Sequence, residues 1–223
     1  EYGNPSYSAG EVIRKMTDVI AYRGPDDFDT HLEPMATALV AFGHRRLSIL
    51  DLSPLGHQPY FFEHLILTFN GEIYNYREIR EKLKDKGYRF ESNSDTEVII
   101  KAYHAYGMRC VDEFIGMFAF AILDKKLNKI FIVRDRAGVK PVYYSMTGNT
   151  LLFGSELKIF HQHPSFRREL NYDSVALYLQ YSYIPAPHTI FKNTQKLIPG
   201  HYLEVDLATK AIKEVKYWDV YDF

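Results

Sequence analysis

The stretch FNGEIYNYRE (residues 69–78) joins an apolar run, HLILTFN, to an amphipathic one, YREIREKLKDKG. Asn70-Gly71 is a strong hairpin signal, because both residue types tolerate the positive φ of a tight primed turn. The residues after it do not read as a returning strand. Asn75 with Glu78 three positions on has the spacing of a capping box that opens a helix. A strand therefore ends in Asn-Gly-Glu and a helix, not its hairpin partner, comes next.

Outward from this point the chain is rich in β signals. Apolar and β-branched runs occur at ATALVAF, RLSIL, HLILTFN, YRFES, MFAFAILD, KIFIVRD, PVYYSM and TLLFGS, several joined by short turns such as DKKLN and MTGN. A closing hairpin is expected in HYLEVDLATKAIKEVKYW. Helices are expected at about residues 9–21, at YREIREKLKDKG, at DTEVIIKAYHAYG with Ser94 or Asp95 as N-cap and Gly107 as its stop, and at NYDSVALYLQY. Runs of strands with helices inserted in pairs predict an α+β layered fold with antiparallel sheets rather than alternating βαβ units. No repeat, low-complexity tract or linker divides the chain, so residues 1–223 read as one domain.

Composition removes several function classes. With 27 Lys and Arg against 28 Asp and Glu the net charge is -1, which gives no field to attract nucleic acid or an anionic membrane. The longest apolar run, MFAFAIL, is far below the roughly 20 residues of a spanning helix. A single cysteine, Cys110, excludes an internal disulfide and a multi-cysteine zinc site, and fits a reducing, cytoplasmic location. Phosphate-loop, dinucleotide, metalloprotease and nucleophile-elbow signatures are absent. His161 and His163 form an i, i+2 pair without other obvious ligands and read as a solvated loop; no metal is assigned. The start, EYGNPSYSAG, resembles neither a signal peptide nor a natural initiation site, so an upstream segment is expected.

Three polar clusters interrupt apolar segments: Arg45-Arg46 before LSILD, Asn70-Gly71-Glu72, and SNSDTE (residues 92–97). Singly they read as an edge-strand cation, a turn and a helix cap. Together they supply an Arg able to grip a carboxylate, an Asp able to hold an ammonium, and an Asn amide beside a Gly N–H able to stabilise an oxyanion. Such groups suit an amino-acid substrate with an acyl-transfer end.

In chain order YRGPDD, RLSILDLSPLGHQP, FNGEIYNYRE, SDTEVI, FIGMFAFAILD, RDRAGVKPVYY, GSELK and LIPGHYL closely resemble the glutaminase domain of glutamine-hydrolysing asparagine synthetases, over about residues 22–218. The resemblance implies an N-terminal-nucleophile hydrolase fold, a four-layer αββα sandwich of two antiparallel sheets. It implies that an N-terminal Cys attacks the side-chain amide of glutamine with its own α-amine as base, and that ammonia passes to a second domain. It places Arg46 on the glutamine α-carboxylate with the backbone of Leu47, Ile49 and Leu50 lining the pocket, Asp95 and Glu72 on the α-ammonium, and Asn70 and Gly71 in the oxyanion hole. The nucleophile strand is missing: the chain starts at Glu1, and about ten residues would fit before the first helix. Without that strand the chain is expected to be inactive. Cys110 sits in an apolar segment with no adjacent His and no α-amine, and reads as a packing thiol.

The family usually continues beyond YWDVYDF into an ATP-dependent synthetase domain; ATP and magnesium are expected only there, with no cofactor in this domain. Glutamine and that domain are the expected partners, aspartate is the default amide acceptor, and a homodimer is left open. The alternative reading is a naturally inactive glutaminase-like module that binds or regulates a partner.

Overall fold

The computed structural model describes residues 7–222. Helix α1 (Ala9–Asp18) is capped by the Ser8 side chain, which accepts from Glu11 N, and a 3₁₀ turn over Ala21–Arg23 follows it. Strands β1 (Asp27–Pro34) and β2 (Leu39–Arg46) form an antiparallel hairpin. Next come β3 (Tyr60–Phe62) and β4 (Leu65–Ile73), then helices α2 (Tyr76–Asp85), α3 (Asp95–Tyr106) and the short α4 (Cys110–Glu113). Strands β5 (Gly116–Asp124), β6 (Lys129–Arg134), β7 (Tyr143–Thr147) and β8 (Thr150–Gly154) precede α5 (Tyr172–Tyr181). Strands β9 (Thr194–Lys196), β10 (His201–Asp206) and β11 (Ile212–Lys216) complete the chain.

The central sheet is antiparallel, in the order β11-β10-β6-β5-β4-β3. Because side chains alternate along a strand, its four middle strands, β10, β6, β5 and β4, serve two cores. Leu65, Leu67 and Phe69 of β4, with Phe118, Phe120 and Ile122 of β5, meet Ile79 and Leu83 of α2 and the buried face of α3. Ile66, Ala119, Ala121 and Leu123 point the other way, onto Val40 and Phe42 of β2, with Leu151 and Phe153 of β8 also at that core. Beyond this second β layer, Leu152 packs with Val12 and Met16 of α1 and with Ile159 and Phe160. The order is helices, sheet, sheet, helices: the four-layer αββα sandwich. Burial on both faces explains why MFAFAIL is continuously apolar rather than alternating.

The second β layer consists, among the described residues, of two pieces, β1-β2 and β8-β7-β9. Two expected strands are not strands. RLSIL contributes only Arg46 to β2, and YRFES lies outside every sheet. In the first case Leu47 and Ile49 are 56% and 65% exposed, so no apolar face holds the segment extended. Among the described residues no helix is long and apolar enough to cross a membrane.

Candidate active site

Asn70-Gly71-Glu72 is neither a turn nor a strand end. β4 runs through it to Ile73, with Asn70 opposite Ala119, Gly71 opposite Phe118 and Glu72 opposite Met117 of β5. Gly71 has φ +153, and a Cβ there would lie 2.1 Å from the Met117 carbonyl oxygen. The glycine is thus required by the close approach of β5 rather than by a turn. Asn75 does not cap α2 with its side chain. Its Oδ1 accepts from Ile115 N at 2.9 Å and its Nδ2 donates to Glu113 O at 2.9 Å, which ties the end of β4 to the residues before β5. That pairing outcompetes the capping box.

The Asn70 Nδ2 donor is buried and has no hydrogen-bond partner among the described residues. A buried donor left unpaired costs about 1–3 kcal/mol, so native proteins have few of them.

Ser94 caps α3 by accepting from Thr96 N at 3.0 Å, which places Asp95 in the first turn as expected. Asp95 Oδ2 accepts from Ile73 N at 3.0 Å, so the carboxylate is fastened three residues from Asn70. Burial pushes its pKa up to about 6, against the pull of the Ile73, Asp95 and Thr96 backbone groups, with the Glu72 charge adding to the rise. Glu97, in the same cluster, serves the frame instead. It pairs with Lys101 at 2.5 Å and accepts from the Ser92 N–H and hydroxyl, closing the loop before the helix.

Arg45 and Arg46 part company. Arg45 donates to Thr17 O and Asp18 of α1 and stacks on Phe28. Arg46, 7% exposed, turns into residues 47–59, where its guanidinium donates to the carbonyls of Leu50 (3.2 Å), Asp51 and Ser53 (3.3 Å). These donors organise the pocket wall; RLSIL is a loop because it wraps this buried cation. Gly56 seats the group, since a Cβ there would stand 2.0 Å from Arg46 Nη2. Gly56→Ala is therefore expected to displace the guanidinium and lower stability by about 1–3 kcal/mol, measurable by denaturant unfolding.

Two residues missed by the sequence reading join the three clusters. Asp51 accepts from Asn93 N at 2.7 Å and from Ser53 N at 3.0 Å, pinning the Arg46 loop to the segment that carries Asp95. Gln58, 5% exposed, accepts from Phe69 N at 2.6 Å and faces Thr96 Oγ1 at 3.5 Å, bridging β4 to α3. Both stand in RLSILDLSPLGHQP, but only an Asp and a Gln in a loop were visible there.

Arg46, Leu47, Ile49, Leu50, Asn70, Gly71, Glu72 and Asp95 all line one cleft of about 1020 Å³ between the β layers. A cavity against the face of a strand meets every second residue. This one meets every residue from 37 to 47 and from 150 to 155, so it borders the facing edges of β2 and β8. Neither edge is paired with a further strand among the described residues. Inside the cleft, burial holds the His44 imidazole down to about 4, a neutral ring at physiological pH.

Cys110 is fully buried in the helix-side core, and burial pushes its thiol well above the usual range. It faces no cleft. His161 and His163 are not in a solvated loop: His163 is 8% exposed and packs edge-on to Tyr7, and His161 packs with Phe166 and Phe191. The other motifs hold the frame. Arg23 of YRGPDD donates to Glu156 of GSELK at 2.9 Å, and the buried Asp135 of RDRAGVKPVYY accepts from Val139 N and Lys140 N, both at 2.9 Å.

Residues 2–218 match the family model described as a glutamine amidotransferase domain. A putative glutamine-hydrolysing asparagine synthetase from Methanocaldococcus jannaschii is 41% identical over 96% of this chain and 44% of its own length. Asparagine synthetase 2 of Bacillus subtilis, also glutamine-hydrolysing, is 40% identical over 95% of this chain and 28% of its own. The chain thus spans less than half the length of either relative. In fold it is similar to glutamine phosphoribosylpyrophosphate amidotransferase from B. subtilis, at a TM-score of 0.69 and 17% identity over 95% of this chain and 47% of that one. The match along nearly all of its length makes the chain a member of the glutamine amidotransferase domain family, of the kind found in asparagine synthetases.

Proposed function

We propose that the cleft hydrolyses glutamine to glutamate and ammonia. The observation that carries this reading is the buried Asn70 amide donor, without a protein partner among the described residues, beside Gly71 and in one cleft with the Asp95 carboxylate. Asp95 and Glu72 take the α-ammonium of glutamine, and Arg46 with the backbone of Leu47, Ile49 and Leu50 takes the α-carboxylate. The side-chain amide then lies at Asn70 and Gly71. There Asn70 Nδ2 donates to the oxygen that becomes anionic when the carbonyl carbon turns tetrahedral.

The nucleophile belongs to a Cys-initiated strand ahead of these residues. The two unpaired edges of β2 and β8, with the cleft between them, suit such a strand. The Cys thiol attacks the amide carbon, its proton moves through the α-amine to the departing ammonia, and water then cleaves the thioester. Without that strand these residues hydrolyse no glutamine, since Cys110 is sealed in the core. In the whole protein the ammonia passes to an ATP-dependent synthetase domain, with aspartate the first acceptor to test, in a reducing cytoplasm.

Glutamine binding separates this reading from others and has a pH signature. Asp95 must be ionised to hold the ammonium. Its pKa of about 6 means that affinity is full above that value and falls below it, by about tenfold per pH unit. Calorimetric titration with L-glutamine from pH 7.5 to 5 checks this. Saturable binding that weakens with acid supports the site; no binding, or binding indifferent to pH, counts against it.

A further inference from the structure

At the opposite end of β4 from Asn70, a second cluster serves none of this chemistry. Glu63, in the left-handed region at φ 51, and His64 form the β3-β4 turn, and His104 lies in the last turn of α3. One ligand atom from each lies within 4.8 Å of the other two. Glu63 Oε2 is 3.0 Å from His104 Nε2 and 3.8 Å from His64 Nδ1. Tetrahedral zinc with bonds near 2.0–2.2 Å needs ligand atoms about 3.3 Å apart, which rotation of the exposed Glu63 and small ring movements supply.

The groups behind the rings are those of a metal site. Tyr88 Oη lies 2.7 Å from His104 Nδ1, which fits an Nδ1–H donating to the phenol oxygen and leaves Nε2 as a lone-pair donor. Asp124 Oδ1 stands 3.7 Å from His64 Nε2, and Asp124 is itself fixed by Lys126 N and Leu127 N at 2.9 Å and by the Tyr103 hydroxyl at 3.1 Å. The phenol holds the His104 ring by a hydrogen bond, and the Asp124 carboxylate, too far for a hydrogen bond, puts a negative charge beside the His64 ring. His64 Nδ1 is buried and has no hydrogen-bond partner among the described residues. A plain Glu63–His104 ion pair leaves that nitrogen without a purpose; a shared cation gives it one. Lys126 sits near His64 with an adverse charge, which Asp124 opposes.

We propose that Glu63, His64 and His104 bind a zinc-class divalent cation through one carboxylate oxygen and two imidazole nitrogens, with water in the remaining position. Two nitrogen ligands and one oxygen suit zinc better than calcium or magnesium, which prefer all-oxygen sets. The cation staples β4 to α3 at the end where β4 begins and α3 finishes. The Asp95 to Ile73 hydrogen bond joins the same two elements at the glutamine end. Such a site sets the rigidity of the two elements that carry Asn70 and Asp95. Spacing motifs do not find it, because Glu63 and His104 are 41 residues apart.

Titration of this chain with zinc chloride by calorimetry, and with cobalt(II) read by visible absorption, tests the site. The expected result is one equivalent bound with a Kd on the order of 10 μM or tighter. Cobalt should show the intense bands of a four-coordinate site. At about a hundredfold excess over Kd the melting temperature should rise by roughly 5–10 °C. Glu63→Gln and His64→Gln should each weaken binding by at least about tenfold, and Tyr88→Phe by about tenfold through the His104 ring. His188→Gln, outside the cluster, should leave it unchanged. Glu63→Gln decides the case, because Glu63 is exposed and its substitution leaves the fold intact. No saturable zinc binding by the folded chain, or an affinity the same in Glu63→Gln as in the unsubstituted chain, overturns the proposal.

Discussion

Asn70→Ala, in a protein with a Cys-initiated strand ahead of these residues, is expected to lower kcat for glutamine hydrolysis by about 10²–10³-fold and to change KM little. The donor has no protein partner among the described residues, so it is available to an oxyanion that forms beside it. In the proposed site ground-state glutamine is held by its α-carboxylate and α-ammonium rather than by Asn70, which is why affinity should survive. Stability supplies an independent check. Removing an unpaired buried donor relieves about 1–3 kcal/mol of desolvation cost, which offsets the packing lost, so the variant should be no less stable than its parent. A large fall in stability with kcat preserved would assign Asn70 to the frame instead.

Asp95→Asn is expected to weaken L-glutamine binding by about 30-fold or more, the loss of roughly 2 kcal/mol of charged hydrogen bonding to the ammonium. The same substitution should not destabilise the free protein at pH 7. The folded-state pKa, about 6, lies above the ordinary 3.8, so burial of the ionised carboxylate opposes folding. That opposition is fully present above pH 6, shrinks between about 6 and 4, and is gone below. An amide keeps an acceptor for Ile73 N and avoids the burden, so stability at pH 7 should rise by on the order of 2 kcal/mol, while at pH 4 the two proteins should be alike. A carboxylate retained at a cost to the fold is the pattern of a group kept for binding. Unfolding in urea at both pH values, together with calorimetry, separates the effects.

The layered fold was legible because its signals are local. MFAFAILD and KIFIVRD are apolar on both faces and become the middle of the central sheet, and Ser94 and Gly107 bracket α3 as their residue types predict. The errors fell where tertiary partners override a local signal. Asn-Gly reads as a turn until β5 is laid beside it, since nothing within FNGEIYNYRE reveals the Met117 carbonyl that only a glycine tolerates. Asn75 reads as a cap until residues 113–115 take both ends of its amide. RLSIL alternates like a strand, but Arg46 draws the following carbonyls around itself. β1, DFDTHLEP, was missed because its alternation is polar and its stability comes from pairing with β2.

The candidate residues were legible only as a set. Each of Arg46, Asn70 and Asp95 has an ordinary reading, and the family resemblance supplied the roles. Their meeting in one cleft depends on Asp51 and Gln58, whose long-range hydrogen bonds leave no mark in local pattern. The zinc cluster is the same lesson in stronger form, since a turn and a helix end become one site only when the sheet is built.

The most direct measurement is of ammonia and glutamate produced from L-glutamine by these residues preceded by a Cys-initiated strand of about ten residues, with the Cys→Ala version of that strand in parallel. The expected result is stoichiometric ammonia and glutamate from the Cys form and none from the Ala form, both forms binding glutamine. A folded, glutamine-binding Cys form that releases no ammonia would contradict the assignment of the cleft as a glutaminase site.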